Sequence, residues 1–179
     1  MTRDQLEHAI RAACEVVAED EVIIFGSQAI LGTIAEPPDD LTVSMEVDLM
    51  PASGDDDAIV AIDGALGELS AFHEHHGFYV QGIHIEAAIL PDGWEERAIV
   101  VTNANTRGKR GRCIGLDDLA VSKMVANREK DRDFVRLLLH HRLLNPVSLI
   151  GLLALLPVGH AHHAPRIRQW VERTVTELT

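Results

Sequence analysis

The sequence predicts an α/β (α+β) fold, with a mixed central sheet and a helical C-terminal part. Three observations carry this. Short apolar runs of strand length occur around Val22–Phe25, Ser44–Met50, Tyr79–Leu90 and Ala98–Val101, as in buried strands. Helically spaced apolar residues lie before and between them;. After Cys113-Ile114 only helical patterns remain. Strands first and helices after divide the chain into a sheet domain, 1–115, and a helical part packed on it, 116–179. A length of 179 residues supports one well-buried core.

Taken in order, Thr2 is the expected N-cap of a helix over 3–19, whose Leu6, Ile10, Ala13, Cys14 and Val17 share a face;. Glu21–Phe25 is the first strand, Gly26-Ser27 a turn, and Gln28–Ile34 a short helix. Ser44–Met50 is the second strand, closed by Pro51. A helix over 58–72 follows, on Ile59, Ile62, Leu66 and Leu69, and then a connector holding His73, His75 and His76. Tyr79–Leu90 is expected as a strand, paired as a hairpin with Ala98–Val101 across the Pro91-Asp92-Gly93 turn;. Asp117 caps a helix to about Asn127. Three more helices are expected, with Phe134, Leu137 and Leu138 on the first, Pro146 opening the second and Pro165 the last;.

Composition narrows the class. Two distant cysteines, Cys14 and Cys113, make no disulfide framework and fit a reducing compartment. The N-terminus has no apolar signal core, and the run Val147–Val158 is too short and too interrupted to span a bilayer;. A cytoplasmic protein with no membrane partner is expected. Net charge is −12, which argues against a general nucleic-acid binder. Residues 1–106 balance to −18 and residues 107–179 to +6. Either the basic half meets an anion, or the halves neutralise each other.

The chemistry-bearing stretch runs from Glu21 to Asp48. Gly26 at a strand-to-helix turn lets a phosphate approach the backbone, and Ser27 adds a hydroxyl. Glu46 and Asp48 lie one residue apart on a strand, so both project from one face while Val47 and Leu49 point inward. Two adjacent carboxylates repel unless a cation sits between them. A hard divalent ion or a solvated acidic face are the two readings.

These residues resemble a family signature. GSQAILG…SMEVDL is similar to the polymerase-β-type nucleotidyltransferases, with Gly-Ser followed by Asp-x-Asp on the next strand. LDDLAVSKMVANREKDRDFV, residues 116–135, resembles the Lys…Arg-x-Lys-Asp block of the AbiEii and MenT type toxin nucleotidyltransferases. The resemblance implies a central sheet of nucleotidyltransferase type and transfer of a nucleoside monophosphate from a nucleoside triphosphate to a hydroxyl. It places Gly26 and Ser27 at the phosphates, Mg²⁺ on Glu46 and Asp48, Lys123 at the triphosphate, and Asp131 beside the active centre. Arg128 and Lys130 take the basic positions between. Glu46 departs from the pattern, which has Asp. Glu86, in GIHIEAAIL, is the candidate third carboxylate on a neighbouring strand. The toxin branch implies a tRNA 3′ end as acceptor and an antitoxin partner. The alternatives are a catalytically impaired homologue that binds a nucleotide or a protein, and a transferase acting on a small antibiotic-like hydroxyl.

Other clusters are less specific. HEHH (73–76) and HAHH (160–163) lack a cysteine or an HExxH spacing;. The basic loop 107–112 is suited either to an RNA backbone or phosphate, or to pairing with acidic loops.

Overall fold

The computed structural model describes residues 1–178. Helix α1 (Arg3–Val17) opens on a capping box, Thr2 accepting from the Gln5 N–H and Gln5 from the Thr2 N–H;. Strand β1 (Glu21–Phe25) leads into a 3-10 turn at Ser27–Ala29 and the single turn α2 (Ile30–Thr33). Strand β2 (Glu46–Pro51), helices α3 (Asp56–Leu66) and α4 (Ala71–His76) and strand β3 (Tyr79–Gly82) follow. Next come α5 (Trp94–Arg97), β4 (Ile99–Val101) and β5 (Arg110–Cys113). The chain then turns helical: α6 (Leu116–Ala126), α7 (Glu129–His140), α8 (Pro146–Leu152) and α9 (Ala164–Leu178). No helix among the described residues is long and apolar enough to cross a membrane.

Two compact units result. One is Met1–Ala87 with Ala98–Gly115; the other is Ala88–Arg97 with the chain from Leu116 on. The first holds a five-stranded sheet in the order β3-β2-β1-β5-β4. Central β1 runs antiparallel to β2 and parallel to β5; β3 is parallel to β2, and β4 antiparallel to β5. Val22, Ile24, Val47, Leu49, Val80 and Cys113 are buried on one face, against α1 and α3. Gly111 lets α1 close in, since a Cβ there would stand 2.3 Å from Ile10 Cδ1. The opposite face carries Glu21, Phe25, Glu46, Asp48, Tyr79, Gln81, Arg110 and Arg112;. In the second unit Leu119, Met124, Val135, Leu138, Leu149, Ile167 and Val171 form the core.

Three expectations are corrected. The expected strand 79–90 stops at Gly82, and no hairpin joins it to 98–101, because β3 and β4 occupy opposite edges. The intervening Ala88–Arg97 belongs to the helical unit. There the buried Asp118 carboxylate accepts from Arg97 at 2.7–3.2 Å, and a buried carboxylate is costly without such a partner. The expected helix 58–72 breaks at Gly67, and Ser70 caps a new helix, so His73, His75 and His76 are helical. The short helix expected at Gln28–Ile34 is present, as a 3-10 turn followed by one α-turn, too short for an appreciable macrodipole;.

Candidate active site

Strand alternation sets the acid pair. Val47 and Leu49 are fully buried, and so turn Glu46 and Asp48 to the other face, where both are half-buried;. Antiparallel pairing puts Asp48 opposite Phe25, the last residue of β1. The chain bends at the next residue, Gly26, with φ +69° and ψ −170°, a region essentially reserved for glycine. The Asp48 carboxylate fills the space a side chain would take there: a Cβ on Gly26 would lie 1.9 Å from Asp48 Oδ2. The glycine bend and the second acid are therefore in direct contact. Ser27 starts the 3-10 turn, and the Ala29 N–H donates to the Gly26 carbonyl at 3.2 Å.

Two further side chains join this face from β3. Parallel register sets Tyr79 beside Glu46 and Gln81 beside Asp48. Burial raises the Tyr79 pKa, and the negative charges of Glu46, Glu68 and Asp48 push it the same way;. Sequence reasoning passed over both residues. Their signal was the alternation Tyr79-Val80-Gln81, the same as Glu46-Val47-Asp48, but only the register aligns the two pairs.

Glu86 is corrected as well. It lies in a 3-10 turn, Ile85–Ala87, beyond the end of β3, with its side chain 79% exposed. Its neighbour is His84, 3.7 Å away, whose other ring nitrogen is 2.6 Å from Asp56. The strand ends at Gly82, four residues before Glu86, and its register sets Gln81, not Glu86, beside Asp48. No group of three or more His, Cys, Asp or Glu among the described residues is arranged to hold a metal ion. The acidic donors at the bend are the pair Glu46 and Asp48.

A sequence profile for the family described as nucleotidyltransferase of unknown function (DUF6036) matches residues 4–156. The chain belongs to this family. Neither a curated protein nor a solved structure matches it. The DUF6036 match spans both the acid pair and the 116–135 block. Its description supports nucleotidyl transfer, with a nucleoside triphosphate as substrate, and specifies no acceptor.

In this DUF6036 chain the second block breaks into two helices. Asn127, at φ +57°, ends α6, and Arg128 starts α7 as its N-cap. Asp131 is the third residue of α7, and its carboxylate reaches back to the Arg128 N–H at 3.3 Å;. The same carboxylate accepts from Arg128 Nε at 2.6 Å and Nη2 at 3.2 Å, and lies 3.5 Å from Lys123 Nζ. Asp131 is fully buried and Lys123 nearly so, with its ammonium 4.6 Å from the Phe134 ring centroid. Burial pushes the Asp131 pKa up, but Arg128 and Lys123 outweigh it and hold the carboxyl below the usual range;. Lys123, Arg128 and Asp131 thus meet, while Lys130 is exposed.

The basic stretch 107–112 pairs with acids of its own unit. Arg107 meets Glu15 at 3.0 Å, Lys109 meets Asp20 at 2.6 Å, and Arg110 and Arg112 meet Glu21 at 2.9 and 2.5 Å. These pairs neutralise part of the acidic N-terminal charge locally.

Proposed function

We propose that this DUF6036 chain moves a nucleoside monophosphate from a nucleoside triphosphate to an acceptor hydroxyl at the acid pair. The observation that carries the reading is the Asp48 carboxylate seated on the Gly26 bend, on the strand face it shares with Glu46. The donor set fits Mg²⁺, which favours oxygen ligands and is commonly held by one or two carboxylates plus substrate phosphates. Glu46 and Asp48 would hold the ion. When bound, it supplies neutralisation of the triphosphate and a lowered pKa for the attacking hydroxyl. Gly26 and Ser27 receive the phosphates, and Glu46 and Asp48 would fix where the cation that draws those phosphates stands. Positioning and charge supply most of the catalysis in phosphoryl transfer. For Lys123, Arg128 and Asp131, roles at the triphosphate and beside the active centre rest on the family resemblance alone.

The toxin-branch resemblance makes a tRNA 3′ end one acceptor and a cognate antitoxin one partner. Pairing of all four cations in the 107–112 stretch, with a net charge of −12, favours instead a small, cationic, hydroxyl-bearing acceptor. Labelled nucleoside triphosphates with Mg²⁺, offered total RNA or aminoglycoside-like acceptors, test both. Label is expected on one acceptor class and absent with Asp48→Ala. Labelling that survives Asp48→Ala overturns the site. Calorimetric binding of the nucleotide without any labelled product would identify an impaired homologue.

A further inference from the structure

We infer that Gln28 is a positioning residue, clamping the 3-10 turn after Gly26 to the residues that lead into Glu46 and so fixing the gap between turn and acid pair. The inference rests on the proposed roles of Gly26, Ser27, Glu46 and Asp48. Gln28 is the middle residue of the turn and is fully buried, and the turn packs on β1 and β2. Gln28 Nε2 donates to the Ser44 carbonyl at 3.2 Å. The Ser44 hydroxyl accepts in turn from the Glu46 N–H at 3.2 Å. The β1–β2 ladder ends at Phe25 and Asp48, so the turn and Glu46 lie beyond it. Gln28 ties them together where the ladder stops.

An amide is a costly choice for this position. Facing a carbonyl, the side chain must turn its nitrogen to Ser44, since only the nitrogen donates. Its Oε1 is then left buried, with no donor among the described residues. A buried polar atom without a partner costs free energy that methionine, of similar length and shape, would not incur. Ser44 is only half-buried, so water can satisfy its carbonyl once the amide is removed. Stability alone therefore favours an apolar side chain here, and what the amide adds is location. Location matters because phosphate on the turn and a cation on the acids must meet in one geometry.

Calorimetry on the full chain tests this, with Mn²⁺ alone and with Mn²⁺ plus non-hydrolysable α,β-methylene nucleoside triphosphates of each common base. Mn²⁺ alone needs the acids; the nucleotide complex needs acids and turn together. Gln28→Met is expected to bind the nucleotide complex about tenfold more weakly, the worth of one hydrogen bond to a charged group. Its affinity for Mn²⁺ alone should stay within about twofold, less than the loss of any one such bond. Its urea midpoint should equal or exceed that of the unmodified chain, which a merely structural hydrogen bond would not allow. Amide hydrogen exchange over residues 42–46 should quicken, a readout that needs no ligand. Unchanged nucleotide affinity, an equal loss for Mn²⁺ alone, a lowered midpoint, or unchanged exchange over 42–46 overturns the clamp. No nucleotide binding by the unmodified chain, or binding indifferent to Asp48→Asn, overturns the proposed site itself, which separates the two failures.

Discussion

Gly26→Ala probes the contact on which the site is built. At φ +69° and ψ −170° an L-residue is strained by about 1–3 kcal/mol. The new Cβ would also stand 1.9 Å from Asp48 Oδ2 and 2.8 Å from its Cγ, so the carboxylate must swing away. Leaving its rotamer costs about 0.5–1.5 kcal/mol. Together the loss is about 1.5–4.5 kcal/mol. With a urea slope of about 2 kcal/mol/M, the midpoint falls by about 1–2 M. In Gly26→Ala/Asp48→Ala the carboxylate is gone, leaving the backbone part and a 3.1 Å approach to the Cβ of residue 48. The two substitutions should therefore couple by about 0.5–1.5 kcal/mol. Urea unfolding of the four proteins measures this. A Gly26→Ala cost below about 0.5 kcal/mol, or one equal with and without Asp48, would refute the contact.

Two other outcomes are expected. Asp131→Ala removes a buried carboxylate from Lys123 and Arg128 and should cost about 3 kcal/mol, the low end for a broken buried pair because Arg128 is open to water. The folded pKa of Asp131 is depressed, so its stabilisation is present above the unfolded value and lost as pH falls through the folded one. Urea midpoints of the unmodified and Asp131→Asn chains should accordingly converge towards low pH; a constant gap would count against the pairing. Burial pushes the Cys14 thiol up to about 11 and the Cys113 thiol up to about 12. Neither thiol should react with a disulfide reagent at pH 8 until urea unfolds the chain, and rapid labelling of the native protein would contradict their burial.

Much of the sheet unit was legible because its cues are local. The apolar run of β1, the alternation Glu46-Val47-Asp48-Leu49 and the Thr2 cap each act within a few residues. The same local reading carried a strand too far, to Leu90, because Ile83, Ile85 and Ile89 look like strand residues. It joined 79–90 to 98–101 because a Pro-Asp-Gly turn lies between. What overrode these cues was long-range: Arg97 pairs with buried Asp118, within a unit assembled from two separate stretches.

Neighbouring residues are enough to specify the mixed fold class, the two acids on one strand face, and a glycine turn on the preceding strand, because periodicity and turn chemistry are local properties. The assembled fold is what rests Asp48 on Gly26, sets Tyr79 and Gln81 rather than Glu86 beside the acids, and ties the basic stretch to Glu15, Asp20 and Glu21. Strand order, register and charge pairing join residues far apart in the chain, so they are settled by burial and packing, which no short window of sequence contains.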